Sequence, residues 1–342
     1  MSHGLADTFA RFIADRTGAS HAEVVAFDKL SGGAIQDNFG LTLDLSGGSH
    51  PGRHQLVVRQ DAPSGVPESL TRPQEFAVLK AAFDAGVTAP EPLWLCEDEA
   101  ISGAIFYVMK RAGGTASPRK LVKTEYTPQA RRKLTRRLGE ELARLHSIRP
   151  PEEGLDFLPM PQQEHPALSR VMRYRRYLKD IGEPHPVLEW ALNWLQDNAP
   201  EPGATVLCHC DFRTGNYMMD GDELTAVLDW EFATWSDPCE DLGWLCASCW
   251  RFGQDQREVG GMGDKSDLLA GYRELSGNRI DPRHVSYWEV MALVRWAMIA
   301  LQQARRHISG EQRSLELALT GRMVPQMELD LIHQIRELEA SK

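Results

Sequence analysis

The stretch HCDFRTGN, His209–Asn216, together with the YMMDGDELTAVLDWE that follows it, Tyr217–Glu231, decides how this chain folds and what chemistry it can carry. Read alone, the first run admits two chemistries. Cys208, His209 and Cys210 are adjacent, as in half of a thiolate–metal site, whereas Asp211 and Asn216 are the oxygen-bearing pair of a phosphoryl-transfer loop. The second run weighs on the side of the oxygens. Asp220-Gly221-Asp222 is a turn signal between two apolar runs, so the spacing predicts a β-hairpin. Antiparallel neighbours lie about 5 Å apart, and folding the chain back near Gly221–Glu223 brings Asn216 within about two residues of Asp229. An amide oxygen and a carboxylate are hard donors suited to Mg²⁺, which keeps several waters and takes further ligands from substrate phosphates. Asp211 can then accept a proton or hydrogen bond from an attacking hydroxyl.

The rest of the chain sets bounds. Its 342 residues suit two domains or one large two-lobed one, and 42% hydrophobic with 25% charged residues is an ordinary globular composition. The net charge of −10 argues against a nucleic-acid partner, which needs a basic patch. The dense basic run, Arg131-Arg132-Lys133 with Arg136-Arg137, reads as the solvated face of a helix. No segment has the roughly 18 unbroken apolar residues of a membrane helix, Arg295 interrupting the most apolar candidate around Met291–Leu301. MSHGLADTFARF lacks the basic start and apolar run of a signal peptide, so a cytoplasmic location is expected, with the six cysteines reduced and buried.

Periodicity changes once along the chain. Up to about residue 112, the β-rich runs AEVVAF, FGLTLDL, HQLVVRQ and AIFYVMK alternate with a helix over RPQEFAVLKAAFDAG that presents Phe76, Leu79 and Phe83 on one face. After Gly113-Gly114 the pattern is mostly helical. Leu134, Leu138, Leu142 and Leu145 recur at helical spacing behind Thr127-Pro128, and further helices are expected at about 165–180, 186–198, 240–252 and 284–308. The expected organisation is an N-terminal lobe over 1–112 and a C-terminal lobe over 113–342.

Base, metal-binding Asn, metal-binding Asp is the order of parts in protein kinases. HCDFRTGN followed by VLDWEFATWSDPCEDLGWL resembles the aminoglycoside phosphotransferase and choline kinase-like family, and most resembles the phosphotransferase domain attached to some acyl-CoA dehydrogenases. LSGGAIQDN, LVVRQDAPS, QEFAVLKAAFDAGVTAPEPLWLCED, FYVMKRAGG and LARLHS fall in that family's order, so the resemblance covers most of the chain. It implies an α+β, two-lobed protein-kinase-like fold with a small β-rich N-lobe and a larger, mainly helical C-lobe. It also implies an enzyme that moves the γ-phosphoryl group of ATP, or of GTP, with Mg²⁺, to a hydroxyl of a small molecule. Asp211 would be the catalytic base, Asn216 and Asp229 metal ligands, and His209 a support for the loop. Glu231 would be a further contact to the metal or its surroundings, and Asp241 a brace at a helix start.

For the nucleotide, the resemblance points to Gly32 and Gly33 as a phosphate-binding turn and to Arg59, at the usual Lys position, paired with Glu75 on the next helix. Arg keeps the charge and changes the geometry to a planar fork. Ile35 stands where some relatives carry a hydroxyl, and backbone groups from Met109 to Arg111 would read the base. Trp190, Trp194, Trp288 and Met291 read as core, and Trp235 as the aromatic most suited to an acceptor pocket.

Three other readings stand beside this one. Arg59 and Ile35 favour a nucleotide-binding regulatory module without catalysis. Cys208/Cys210 with Cys246/Cys249 permits a four-thiolate zinc site, although helical spacing suits the second pair to packing. A protein kinase would need an activation-segment ending, and no such motif is present. Among small molecules, an aminoglycoside and a hydroxyacyl thioester are both candidate acceptors by analogy, and the oligomeric state is left open.

Overall fold

The structure is a computed structural model and describes residues 2–30, 36–61 and 68–341. The described residues form two compact units that are not consecutive stretches of chain. One comprises 1–114 with 151–157 and 217–233, and the other comprises 115–150, 158–216 and 234–342.

The first unit is built on a five-stranded antiparallel sheet. Helix α1 (Ser2–Thr17) leads into β1 (His21–Lys29), β2 (Gln36–Ser46) and β3 (Gly52–Asp61). Helix α2 (Arg72–Asp84), β4 (Pro92–Cys96), the short α3 (Glu99–Ser102) and β5 (Phe106–Lys110) follow, and the strand order is β1-β2-β3-β5-β4. The four β-rich runs read from the sequence are β1, β2, β3 and β5. Phe9, Phe12 and Ile13 lie at helical spacing on α1 and pack on Phe39, Leu41, Leu43, Leu56, Phe106 and Val108, which alternate along the strands. Helix α2 turns differently from the expected face: Leu79 is buried, but Phe83 is 36% exposed, and Arg72, Glu75, Val78 and Ala82 point inward. Val78, Leu79 and Ala82 share that inward face with the buried pair Arg72–Glu75.

Beyond β5 the elements run α4 (Pro118–Lys123), α5 (Pro128–Leu145), α6 (Pro166–Ile181), α7 (Pro186–Asp197) and β6 (Val206–Cys208). Next come β7 (Tyr217–Asp220), β8 (Glu223–Val227), β9 (Thr234–Ser236), α8 (Pro238–Cys246) and α9 (Lys265–Ser276), and then α10 (Pro282–Ile308), α11 (Leu315–Gly321) and α12 (Val324–Ala340). The hairpin β7–β8 is the predicted one, with Asp220 opposite Glu223 across the turn and Tyr217 opposite Val227 at the open end. It belongs to the first unit, where the β8 Thr225 hydroxyl donates to the Gly113 carbonyl and the Val227 amide to the Thr88 carbonyl.

The second unit is helical, as its pattern predicted. Leu134, Leu138, Leu142 and Leu145 of α5 are all buried. Gly139 and Gly271 let α5 and α9 touch backbone to backbone, since a Cβ at either would fall about 2 Å from a carbonyl oxygen. The basic run on α5 is not simply solvated: Arg136 pairs with Glu274 at 2.6 Å, Arg132 with Asp267 at 3.5 Å, and Arg131 donates to the Met262 carbonyl. Trp288 and Met291 are core as expected, whereas Trp190 is 40% exposed and Trp194 stacks on Tyr287. No described helix is long and apolar enough to cross a membrane.

Candidate active site

In the second unit, β6 runs into a loop that one carboxylate holds in shape. Asp241, on the first turns of α8, accepts the His209 amide at 2.8 Å and the Cys210 amide at 2.7 Å. Its Oδ2 also meets His146 Nε2 at 3.1 Å, and the other ring nitrogen of His146 reaches the Tyr272 hydroxyl. Burial would push the Asp241 carboxyl up, but the His146 hydrogen bond and the neighbouring imidazoles hold it below the usual range. Cys210 adopts φ +58, a left-handed conformation unusual for a side-chain-bearing residue, and the next residue is Asp211. The Asp211 amide donates to His209 Nδ1 at 3.1 Å, so His209 shapes the loop from within, buried completely.

The Asp211 carboxylate collects three donors. Trp244 Nε1 reaches Oδ1 at 2.9 Å, Arg213 Nε reaches the same oxygen at 3.3 Å, and the Asn216 amide nitrogen donates to Oδ2. Asn216 also donates to the Asp211 carbonyl at 3.0 Å, which leaves its amide oxygen as the atom able to serve as a hard ligand. Sequence reasoning missed Trp244. The signal was present in DLGW: Asp241 and Trp244 are three apart on α8, hence on one helix face, and both reach the same loop. Trp235 lies in β9 opposite Leu207, only 4% exposed, and the aromatic on the carboxylate is Trp244 instead, with Trp250 packed against it. Arg213 lies 4.6 Å over Trp250 and Arg295 lies 4.3 Å over Trp244.

The first unit gathers the remaining polar candidates. Arg59 on β3 directs Nε to Glu75 Oε2 at 3.1 Å and Nη2 both to Glu75 Oε1 at 3.0 Å and to Asp229 Oδ1 at 2.7 Å. The expected Arg59–Glu75 pair is therefore present, and its fork also takes in Asp229. A second arginine, Arg72, pairs with Glu75 from the other side, reaches Asp61 at 2.9 Å and approaches Glu231 at 3.8 Å. Glu75 and Arg72 are fully buried, and Arg59 is held in its charged form by Glu75 and Asp229 against burial. Asp229 sits at φ +71 with its side chain 28% exposed, a strained backbone at a carboxylate left open to solvent. Glu231 is pushed up to about 7 by burial, with the Asp229 charge adding to the effect and Arg59 opposing it.

The base-reading candidates are partly engaged. The Arg111 amide donates to the Gln55 carbonyl and the Lys110 amide to that of Glu91, while Met109 pairs with Val57 in the sheet. The Arg111 guanidinium lies 3.9 Å from Asp28, against Gly40. Gly32, Gly33 and Ile35 lie outside the described residues.

The cysteines do not assemble. Among the described residues, the one metal-like grouping of His, Cys, Asp or Glu is His146, Cys208 and Asp241. Both Asp241 oxygens are taken by loop amides, the Cys208 thiol donates to the Asp237 carbonyl at 3.3 Å, and burial pushes that thiol well up. A thiolate ligand is disfavoured there. Asn216 and Asp229 each present an oxygen, a hard donor of the type Mg²⁺ takes.

Residues 27–277 match the phosphotransferase enzyme family. The chain belongs to that family. It is 28% identical to acyl-CoA dehydrogenase family member 11 of Rattus norvegicus over 306 residues, covering 82% of this chain and 38% of that protein. The chain thus spans less than two-fifths of the length of such curated relatives. In structure it is similar to a putative aminoglycoside phosphotransferase from Ralstonia eutropha, with TM-score 0.77 and 20% identity over 97% of this chain and 98% of that one. A spectinomycin phosphotransferase solved with ADP and spectinomycin also matches, with TM-score 0.60 and 13% identity over 96% and 98% of the two chains. The resemblance read from the motifs is borne out, and the fold is the α+β protein-kinase-like one it implied.

Proposed function

We propose that this chain transfers the γ-phosphoryl group of ATP, with GTP as the alternative donor, to a hydroxyl of a small molecule in a Mg²⁺-dependent reaction. The observation that carries the reading is the Asp211 carboxylate, held by Trp244, Arg213 and Asn216 on a loop braced by Asp241. Three donors fix the direction in which a carboxylate can receive a hydrogen bond, and phosphoryl transfer depends chiefly on such positioning.

In this reading the acceptor hydroxyl donates to Asp211, which orients the oxygen and takes its proton as the new O–P bond forms. Asn216 and Asp229 would hold Mg²⁺, which when bound neutralises charge on the phosphates. Arg59, kept in place by Glu75, would contact the α- and β-phosphates, and the Gly32-Gly33 backbone would face the same groups. Residues 1–112 would serve the nucleotide and 113–342 the acceptor. The ADP seen with the spectinomycin phosphotransferase supports a nucleotide donor.

Replacing Asp211 by Asn removes the proton acceptor and keeps the shape. Turnover should be lost while nucleotide binding persists, and full activity in that variant would sink the assignment. The rival, a nucleotide-binding regulatory module, predicts nucleotide binding with no phosphotransfer to any of a panel of hydroxylated acceptors, with or without Mg²⁺.

A further inference from the structure

Trp244, which donates to Asp211, carries the Arg295 guanidinium at 4.3 Å, and Trp250 carries that of Arg213 at 4.6 Å. Trp250 packs in turn on Trp244 and Trp296, at 5.1 Å and 4.9 Å between centroids. A site for an ammonium-bearing acceptor uses open aromatic faces and spare carboxylates. Here each of these indoles carries a guanidinium, and the Asp211 and Glu240 carboxylates are engaged by arginines.

The charges near Asp211 pair off unevenly. Arg170 is matched by Glu240 at 2.9 Å, and Arg213 by Asp211 itself at 3.3 Å. Arg295 has no ion-pair partner of its own among the described residues. With Trp296 it is one of two partly exposed residues in the stretch Val290–Met298 of α10, and its polar partner is the Cys210 carbonyl. Among the described residues no carboxylate lies within 4 Å of it. Asp211 and Glu240 favour its charged form from beyond ion-pair distance, but each is already engaged by another arginine, so three guanidiniums share two carboxylates. A half-buried positive charge left in excess favours an anion beside it. The indole beneath it is the one that donates to Asp211, so an anion on Arg295 would lie one ring's breadth from the carboxylate that receives the hydroxyl.

We propose that the acceptor is an anionic hydroxy compound, its carboxylate or phosphate held by Arg295 and its hydroxyl presented to Asp211. This rests on the phosphotransferase reading and specifies its substrate class. Arg offers a planar fork that suits either anion.

The test separates binding from turnover. Isothermal titration with a hydroxycarboxylate, a hydroxyalkyl phosphate, the matching neutral diol and an amino alcohol reads occupancy directly. The two anions should give saturable changes and the other two none, the stronger anion naming the group. Arg295→Met should weaken the anion at least about tenfold and Arg295→Lys less, with nucleotide binding as the control for folding. Asp211→Asn should keep the anion site, so the inference can stand even where the turnover assay fails. Stronger binding of the amino alcohol or diol, or anion binding unaltered in Arg295→Met, would overturn it. So would the absence of any response to the anions.

Discussion

The indole N–H of Trp244 lies 2.9 Å from Oδ1 of Asp211, and Asp241, one turn earlier on the same helix, holds the backbone from which Asp211 projects. One face of α8 therefore fixes both the position and the orientation of the carboxylate. Trp244→Phe keeps most of the ring that carries Arg295 and removes the donor. A hydrogen bond to a charged group contributes about 1.5–3 kcal/mol, so kcat should fall by about tenfold or more, with the nucleotide KM little changed. A parallel rise in nucleotide KM would show that Trp244 shapes the fold generally and does not act through Asp211.

Arg59 bridges Glu75 and Asp229, and Arg72 holds Glu75 independently. Breaking a buried pair ordinarily costs about 3–5 kcal/mol because a charge is stranded. Here Glu75 keeps a partner, so Arg59→Met should lower unfolding stability by only about 1–3 kcal/mol. Its larger effect should be on the nucleotide, with KM raised at least about tenfold. Arg59→Lys keeps the charge without the fork and should lie between the two. Isothermal titration with nucleotide and denaturant melts measure both quantities.

Elements whose packing is apolar and whose spacing is regular could be read from the sequence, among them the hairpin β7–β8, the leucine face of α5 and the four strands of the sheet that carry alternating residues. The inward face of α2 could not, because the larger Phe76 and Phe83 outweigh the small Val78 and Ala82, and the buried ion pair Arg72–Glu75 adds no hydrophobic signal to that face. The same holds at the site. Asp211, Asn216 and Asp229 stand out by residue type and spacing, whereas Trp244 looks like one more core aromatic until α8 is seen against the loop. Helix α1 was legible in principle from Phe9, Phe12 and Ile13, and β4 was hidden by its length and its leading proline. Helix α12 was likewise legible in principle, from Val324, Met327, Leu331 and Ile335 at helical spacing, α11 buries no residue, and α9 docks partly through Gly271, which carries no hydrophobic signal.

Glu231 should make stability depend on pH. Its folded value of about 7 exceeds the 4.5 of an exposed carboxyl, so between those values the native state holds a proton that the unfolded chain has lost. Stability therefore falls as pH rises from about 4.5 to about 7 and levels off above, by up to about 3 kcal/mol before screening by solvent. Glu231→Gln removes the titration. Thermal melts at about pH 5 and pH 8 should show a smaller difference for the variant than for the parent, and equal differences would refute the assignment.

Gly243 sits between Asp241 and Trp244 and sets how close α8 comes to α10. A Cβ there would fall 2.5 Å from the Trp288 Cβ and 2.6 Å from the Trp288 carbonyl carbon. Backbone cannot yield as a flexible side-chain tip can, so Gly243→Ala must displace α8, and with it both residues that fix Asp211. Overpacking of this kind costs about 1–3 kcal/mol, and kcat should drop alongside stability. Gly4, on α1 with nothing within 4 Å of its would-be Cβ, supplies the control, where Ala should be neutral or slightly stabilising. A Gly243→Ala protein with lowered melting temperature but undiminished kcat would show that Asp211 is held independently of the seating of α8 against Trp288.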